Sequence, residues 1–284
     1  MGKVIFICLL AVFLTGCQED NQVKKVSKTQ ELTYREDSIN VNLAEKEISK
    51  EKPSYYTKGD WKLVWEDDFT SKSVNSKKWN VVRQGDNYNN ELQYYLPKNV
   101  IQSDDELKLV AKKENYKKHH YTSGKITTED KFTFKYGKVE FRMKYPSGKG
   151  MFPAVWMLPA SGKSSLPEID LFESIGSDAN TMYMVNHVEE NGTLKSEHDT
   201  TQIEKHWEYH IYEMEWNENA LIWTVDGKDV YEINNNVPNE AMYLLINLAI
   251  GGNWEGNPNE QTIFPSEVSL DYVRVYEKIK QRGL

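Results

Sequence analysis

From Trp61 onward the chain is written in short runs whose apolar and polar residues alternate every second position, with Asn, Asp and Gly between the runs. Lys62-Leu63-Val64-Trp65, Glu106 to Ala111, Gly137 to Met143 and Tyr209 to Trp216 follow this pattern, as do Leu221 to Val225 before the turn Asp226-Gly227, and Val268 to Tyr276. A period of two sends alternate side chains to opposite faces of an extended chain, so each run offers one face to a core and one to water. Many such runs with turn residues between them predict antiparallel strands in a sandwich or jelly roll. No long 3.6-residue period, no internal repeat and no second domain after Tyr276 is visible. One all-β domain over residues 58–279 is therefore expected.

The chain before that domain has a different texture. Lys3 precedes the apolar run Val4 to Leu14, too short for a stable membrane span and flanked like a secretion signal. Residues 1–16 read as a signal peptide. The run ends in Leu14-Thr15-Gly16-Cys17, which resembles the bacterial lipobox and makes Cys17 the expected lipidation site and membrane anchor; a plain signal peptide that happens to contain Cys is the alternative. Gln18-Glu19-Asp20 resembles the surface-export signal of Bacteroidetes lipoproteins, so an outer-membrane lipoprotein at the cell surface or facing the periplasm is expected. Residues 17–57 are rich in Lys, Glu, Ser, Asn and Thr and poor in aromatics, a composition that buries too little apolar area to fold alone. They read as a flexible tether. Cys8 and Cys17 are the two cysteines, so the domain has neither a disulfide nor a cysteine metal site.

A formal charge of -8 excludes nucleic acid as the expected partner, because phosphates demand a Lys/Arg surface. It argues more weakly against a sulfated polysaccharide. The 8 Trp and 17 Tyr are enough for a large core and leave rings over for stacking on sugars, although any single ring is also explained by packing.

Pro167-Glu168-Ile169-Asp170-Leu171-Phe172-Glu173-Ser174 is the segment richest in chemistry. On a strand Glu168 and Asp170 project to one face and Ile169 and Leu171 to the other. Strict alternation would put Glu173 on the apolar face, where a charge is costly. A bulge near Leu171-Phe172 returns it to the face of Glu168. The outer pair would then approach the roughly 5–5.5 Å separation used by retaining glycosidases. Crowded carboxylates drive each other's pKa values apart, so Glu168 would attack as the anion while Glu173 kept a proton to donate. Asp170 between them would hold Glu168 by a shared proton or a hydrogen bond and help set when each ionises. Acidic alternation is also what a solvated face looks like, and carboxylates also bind Ca²⁺, though usually from loops.

The segment Glu168-Ile169-Asp170-Leu171-Phe172-Glu173 resembles the E-x-D-x-x-E signature of family-sixteen glycoside hydrolases, in the bulged form seen in laminarinases. Asn89 to Tyr95, Ser147 to Pro159, Asn247 to Trp254 and Leu270 to Tyr276 resemble other blocks of that family, in the same order, over about residues 61–277. The resemblance implies a concanavalin-A-like β-jelly-roll sandwich with an open substrate cleft, and retaining hydrolysis of internal β-1,3- or mixed-linkage β-1,3-1,4-glucan bonds. By position it makes Glu168 the nucleophile, Asp170 its assisting acid and Glu173 the acid/base. Trp156 becomes part of the sugar-binding floor, Asn90, Glu91 and Asn247 become polar groups along the cleft, and Trp254 an aromatic contact to the chain. His187 is expected in the cleft near the acid/base. Asp68 and Asp271 match the acidic positions of a structural Ca²⁺ site in many relatives, while catalysis itself implies no cofactor. A polysaccharide-binding monomer is expected.

There are departures. Ser164-Ser165-Leu166-Pro167 stands where laminarinases commonly carry a Trp and a Gly, Met184 to Val188 replaces a Thr-Ile-His-Tyr type of stretch, and Lys125 takes the place of a frequent Arg, whose planar fork Lys lacks. These changes leave linkage preference open. A galactanase of the same fold, acting on agar, porphyran or carrageenan, and a noncatalytic surface glycan-binding lipoprotein are the competing readings. The first would concentrate Lys and Arg at the cleft, and the second would lose a catalytic carboxylate.

Overall fold

The computed structural model describes residues 57–58, 60–85 and 87–279. In chain order its strands are β1 (Thr57–Lys58), β2 (Trp61–Asp67), β3 (Asn80–Val81), β4 (Gln93–Tyr95), β5 (Val100–Ser103) and β6 (Glu106–Ala111). Then come β7 (Tyr121–Ser123), β8 (Lys125–Thr127), β9 (Gly137–Lys144), β10 (Met151–Pro159), β11 (Glu168–Glu173) and β12 (Thr181–Glu190). The last six are β13 (Thr193–Gln202), β14 (His210–Trp216), β15 (Leu221–Val225), β16 (Lys228–Ile233), β17 (Met242–Ile250) and β18 (Ser266–Lys278). The fold is the expected all-β jelly roll. β1 begins the ordered pairing at Thr57, at the last residue assigned to the tether; the signal peptide, Cys17 and the rest of the tether lie outside the described residues.

Two antiparallel sheets carry the domain. One runs β1-β2-β18-β9-β14-β15-β16, with β5 and β6 added alongside β18. The other runs β13-β12-β11-β10-β17-β8-β3. The last strand in sequence, β18, pairs with β2 and β9, which closes the N- and C-terminal parts of the domain into one sheet.

Alternation explains why the sheets stack. On β9, Val139, Phe141 and Met143 are buried in the core, and on β17 so are Leu244, Ile246, Leu248 and Ile250. Rings bridge the sheets: Phe172 of β11 meets Tyr212 of β14 at 5.1 Å between centroids and Tyr145 at 4.8 Å, both edge-on, and Tyr212 stacks on Phe141 at 5.2 Å. Edge-on and offset ring pairs add stabilisation beyond the area they bury.

The same alternation leaves the other face of the second sheet free. On β10 the odd residues Met151, Val155 and Met157 go to the core, while Phe152, Ala154, Trp156 and Leu158 line a cleft. Gly251 and Gly252, at φ +75° and +101°, turn the chain off β17 in a conformation that L side chains rarely adopt. That turn brings Trp254 back over Phe152, with ring centroids 5.2 Å apart.

Phe172→Ala should lower the unfolding free energy by about 3–5 kcal/mol, measured by denaturant titration, because the cavity opens between the two sheets. A loss under about 1 kcal/mol would show that the ring cluster does not join them.

Candidate active site

The carboxylate segment Glu168–Glu173 folds as expected, with one residue extra. β10 pairs Trp156 with Asp170 and Val155 with Phe172, so Leu171 is skipped. On the other side β12 pairs Val185 with Asp170 and Tyr183 with Glu173, leaving two residues of β11 opposite one. This is a β-bulge. Ile169, Leu171 and Phe172 are all buried in the core, and Glu168, Asp170 and Glu173 line the cleft. Two consecutive apolar side chains point inward, and that is what turns Glu173 back outward.

The cleft encloses about 970 Å³ of space open to solvent. Its floor is laid in rows that run across the strands. One row is Lys125, Asn247, Ala154, Glu173 and Tyr183, each the register partner of the next. The neighbouring row is Thr127, Leu245, Trp156, Asp170 and Val185. Trp156 Nε1–H donates to Asn247 Oδ1 at 2.7 Å, which fixes the indole flat across the floor between the two rows. Lys125 places its Nζ 5.1 Å from the centroid of the Trp156 ring and 5.7 Å from that of Tyr95, so aromatic faces hold the ammonium.

Electrostatics separate the acids. Burial pushes Glu168 up to about 7, opposed by the Lys125 charge and by a hydrogen bond with Asp170. Two carboxyl groups can bond this way only through a proton held between them. Burial pushes Glu173 higher, to about 8, and the negative charges of Glu168 and Glu91 add to the effect. Glu91 is itself raised to about 7 by burial, against the hydrogen bond from Gln93 Nε2 at 2.7 Å and the charge of Lys125. Lys125 is lowered by burial, with Glu91 and Glu168 opposing. The charge of ionised Glu168 thus favours a proton on Glu173, so one strand face can carry an anion and an acid together.

Of the groups expected along the cleft, Trp156, Glu91 and Asn247 line it. Asn90 does not: it is exposed and spends its amide on Asn253 Oδ1 at 2.8 Å, while its neighbours Asn87 and Asn89 line the cleft instead. Trp254 stands beside the floor at 36% exposure, edge-on to Phe152 and to Tyr183, the register partner of Glu173. His187 is buried beside Glu168, its register partner, with Nε2 3.5 Å from Asp170 Oδ2, and not beside Glu173. One residue explains the correction: β12 runs antiparallel to β11, so the residue facing Glu173 is Tyr183. Lys125, Tyr95 and Phe152 line the cleft without having been selected from the sequence as site residues. Alternation along Gln93-Tyr94-Tyr95 and Met151-Phe152-Pro153 marks which side chains share a face, but not which face is the cleft.

Asp68 and Asp271 do not fit a Ca²⁺ site. Asp271 gives Oδ2 to the Arg142 guanidinium at 2.7 Å, and Asp68 Oδ1 accepts from Thr70 Oγ1 at 2.8 Å. A Ca²⁺ ion takes six to eight oxygen ligands, and Arg142 already supplies positive charge at the carboxylate the ion would need. Among the described residues, the only trio of His and carboxylate groups close enough to share an ion is Glu168, Asp170 and His187, of which the two acids line the cleft.

The profile of "Glycosyl hydrolases family 16" matches residues 87–273, a span that contains Glu168, Asp170 and Glu173. A second profile, "Beta-glucan synthesis-associated protein SKN1/KRE6/Sbg1", matches residues 1–169 and so stops before Glu173. The chain is 33% identical over 259 residues to a glucan endo-1,3-beta-glucosidase A1 of Niallia circulans, covering 76% of this chain and 38% of that one. It is 30% identical over 251 residues to a beta-glucanase of Rhodothermus marinus, covering 78% and 86%. The chain therefore spans well under half of the first relative and most of the second. Among solved structures, the laminarinase catalytic domain of Thermotoga maritima superposes with a TM-score of 0.72 at 33% identity, over 77% of this chain and 99% of that one. With its three carboxylates inside the matched span and its fold shared with that domain, the chain belongs to glycosyl hydrolases family 16.

Proposed function

We propose that the chain is a retaining endo-β-glucanase that hydrolyses β-1,3- and/or mixed-linkage β-1,3-1,4-glucans by double displacement. The observation that carries this is the bulged strand β11, which sets Glu168 and Glu173 on one cleft face, where burial raises the proton affinity of both. In the first step the Glu168 carboxylate attacks the anomeric carbon. The C–O bond to the leaving sugar breaks as Glu173 gives that oxygen its proton. In the second step the Glu173 carboxylate takes a proton from water, whose oxygen attacks the same carbon and frees Glu168. One water is consumed, and the two inversions restore the β configuration. Asp170 holds Glu168 through their shared proton, and Trp156 offers the floor on which a sugar ring stacks.

A neutral glucan suits the charge of this cleft. Among its described lining residues Lys125 is the single cation, against Glu91, Glu168, Asp170 and Glu173. A sulfated galactan would bring further negative charge to that surface. A noncatalytic binder would have no use for Glu173's raised proton affinity. The names of two relatives, glucan endo-1,3-beta-glucosidase and beta-glucanase, support the same class. Lipidation at Cys17 and an outer-membrane location rest on the sequence Leu14 to Cys17; a Cys17→Ala chain should appear unlipidated in the soluble fraction, as mass and fractionation would report.

Reducing-sugar release from laminarin, barley mixed-linkage glucan, agarose, porphyran and carrageenan tests the proposal. Release from glucans alone is expected; release from a galactan alone would overturn it. Glu168→Ala and Glu173→Ala should each lose about 10²–10⁴-fold in turnover, while folding is kept because both side chains face the cleft; normal turnover in either would contradict the assignment.

The pH dependence has a definite sign. Glu168 must be ionised and Glu173 protonated, so activity falls as pH drops through the first pKa and as it rises through the second. Glu91→Gln removes a negative charge that supports Glu173's proton, so the alkaline limb of kcat/KM should move to lower pH. An unmoved or upward-shifted limb would mean that Glu91 does not act on Glu173.

A further inference from the structure

We propose that Ser196 is a positioning residue for the catalytic carboxylates and acts by fixing the orientation of the His187 ring, with Nε2 turned toward Asp170. The inference deepens the reading of Glu168 as nucleophile and rests on it.

Glu168 of β11 is the register partner of His187 on β12, and His187 is the partner of Ser196 on the edge strand β13. The three therefore form one transverse row on the same face of the sheet. Ser196 Oγ lies 2.6 Å from His187 Nδ1, and the opposite ring nitrogen, Nε2, lies 3.5 Å from Asp170 Oδ2. A carboxylate oxygen presents lone pairs, so the nitrogen facing it is the one that carries hydrogen. A neutral imidazole has one N–H. With that hydrogen on Nε2, Nδ1 holds a lone pair and the Ser196 hydroxyl donates to it. Burial, and then the nearby His198, push His187 down to about 4, so the ring stays neutral across the working range.

The opposite tautomer would turn the Nε2 lone pair toward the lone pairs of Asp170. A hydroxyl both donates and accepts, so Ser196 serves Nδ1 in either tautomer; what it supplies is a hold against rotation, which keeps Nε2 facing Asp170 so that the carboxylate selects the tautomer. Asp170 Oδ2 then faces the Nε2–H dipole at 3.5 Å, longer than an ordinary hydrogen bond, while Asp170 is also hydrogen-bonded with Glu168. Residues that tune a functional group through an intervening imidazole commonly change activity by about 10–100-fold at metal sites, and the same orienting logic holds here. The other titratable groups on this side are His198, which shares a row with Asp170, and Glu189, on the same face of β12 as His187. Lys125 and Glu91 act from the far side of Glu168 and Glu173.

The test uses the full chain with Ser196→Ala and Ser196→Thr; both should fold, since Ser196 is exposed on an edge strand. Long-range ¹H–¹⁵N imidazole spectra near neutral pH should show His187 as the Nε2–H form, and as a tautomer mixture in Ser196→Ala. On laminarin, Ser196→Ala should lose roughly 10-fold in kcat with KM unchanged. The acid limb of kcat/KM should move up by about half a pH unit, because the Glu168–Asp170 pair loses a donor that favours its ionised form. Ser196→Thr, which keeps the hydroxyl, should restore both. An Nδ1–H form in the parent chain, or a Ser196→Ala chain with unchanged tautomer and profile, would overturn the proposal. If no glucan is cut but Ser196→Ala still scrambles the tautomer, the glucanase reading fails and the link from Ser196 to Asp170 stands.

Discussion

The arrangement depends on a single break in alternation. β11 sends Ile169 into the core, Asp170 to the cleft and then both Leu171 and Phe172 inward. Phe172 is held by Tyr145 and Tyr212 between the sheets, so it does not exchange places with Glu173. Glu173 is thereby kept at the cleft, where its charge can be solvated or used. Putting it in the core would cost several kcal/mol or force it to stay neutral. Packing on one face of the strand thus sets chemistry on the other.

Burial in a cleft that Phe152, Ala154, Trp156 and Leu158 also line raises three glutamates together. Glu91, Glu168 and Glu173 are all pushed up by burial, and Lys125 is the counter-charge acting on Glu91 and Glu168. The balance keeps a proton available near neutrality on Glu173 while the Lys125 charge favours the ionised form of Glu168. It works against folding: each raised carboxylate is stabilising in its protonated form, so the domain gives up stability as pH rises through these groups. Sites that hold acids away from their ordinary pKa commonly carry such a cost.

Much of this was legible in the sequence, for physical reasons. Period-two runs mark β2, β6, β9, β14, β15 and β18 because each has one face in the core and one outside it. The bulge was legible too, since regular alternation would have buried Glu173. β13 was not: Thr193 to Gln202 is almost wholly polar because an edge strand exposes both faces, and its sequence looks like a loop. Ser196 was invisible for the same reason. The partner of His187 depends on an antiparallel register across the bulge, which no local pattern encodes. The contact of Asp271 with Arg142 joins residues far apart in the chain, so the acidic positions alone suggested a metal where a guanidinium stands.

The most direct measurement is covalent trapping with a 2-deoxy-2-fluoro β-glucan oligosaccharide bearing an activated leaving group, followed by mass spectrometry of the digested protein. The fluorine slows both steps and the good leaving group spares the first, so the glycosyl-enzyme accumulates. The account predicts one label per chain, on Glu168. A label on Glu173, or turnover without any trapped ester, would contradict it.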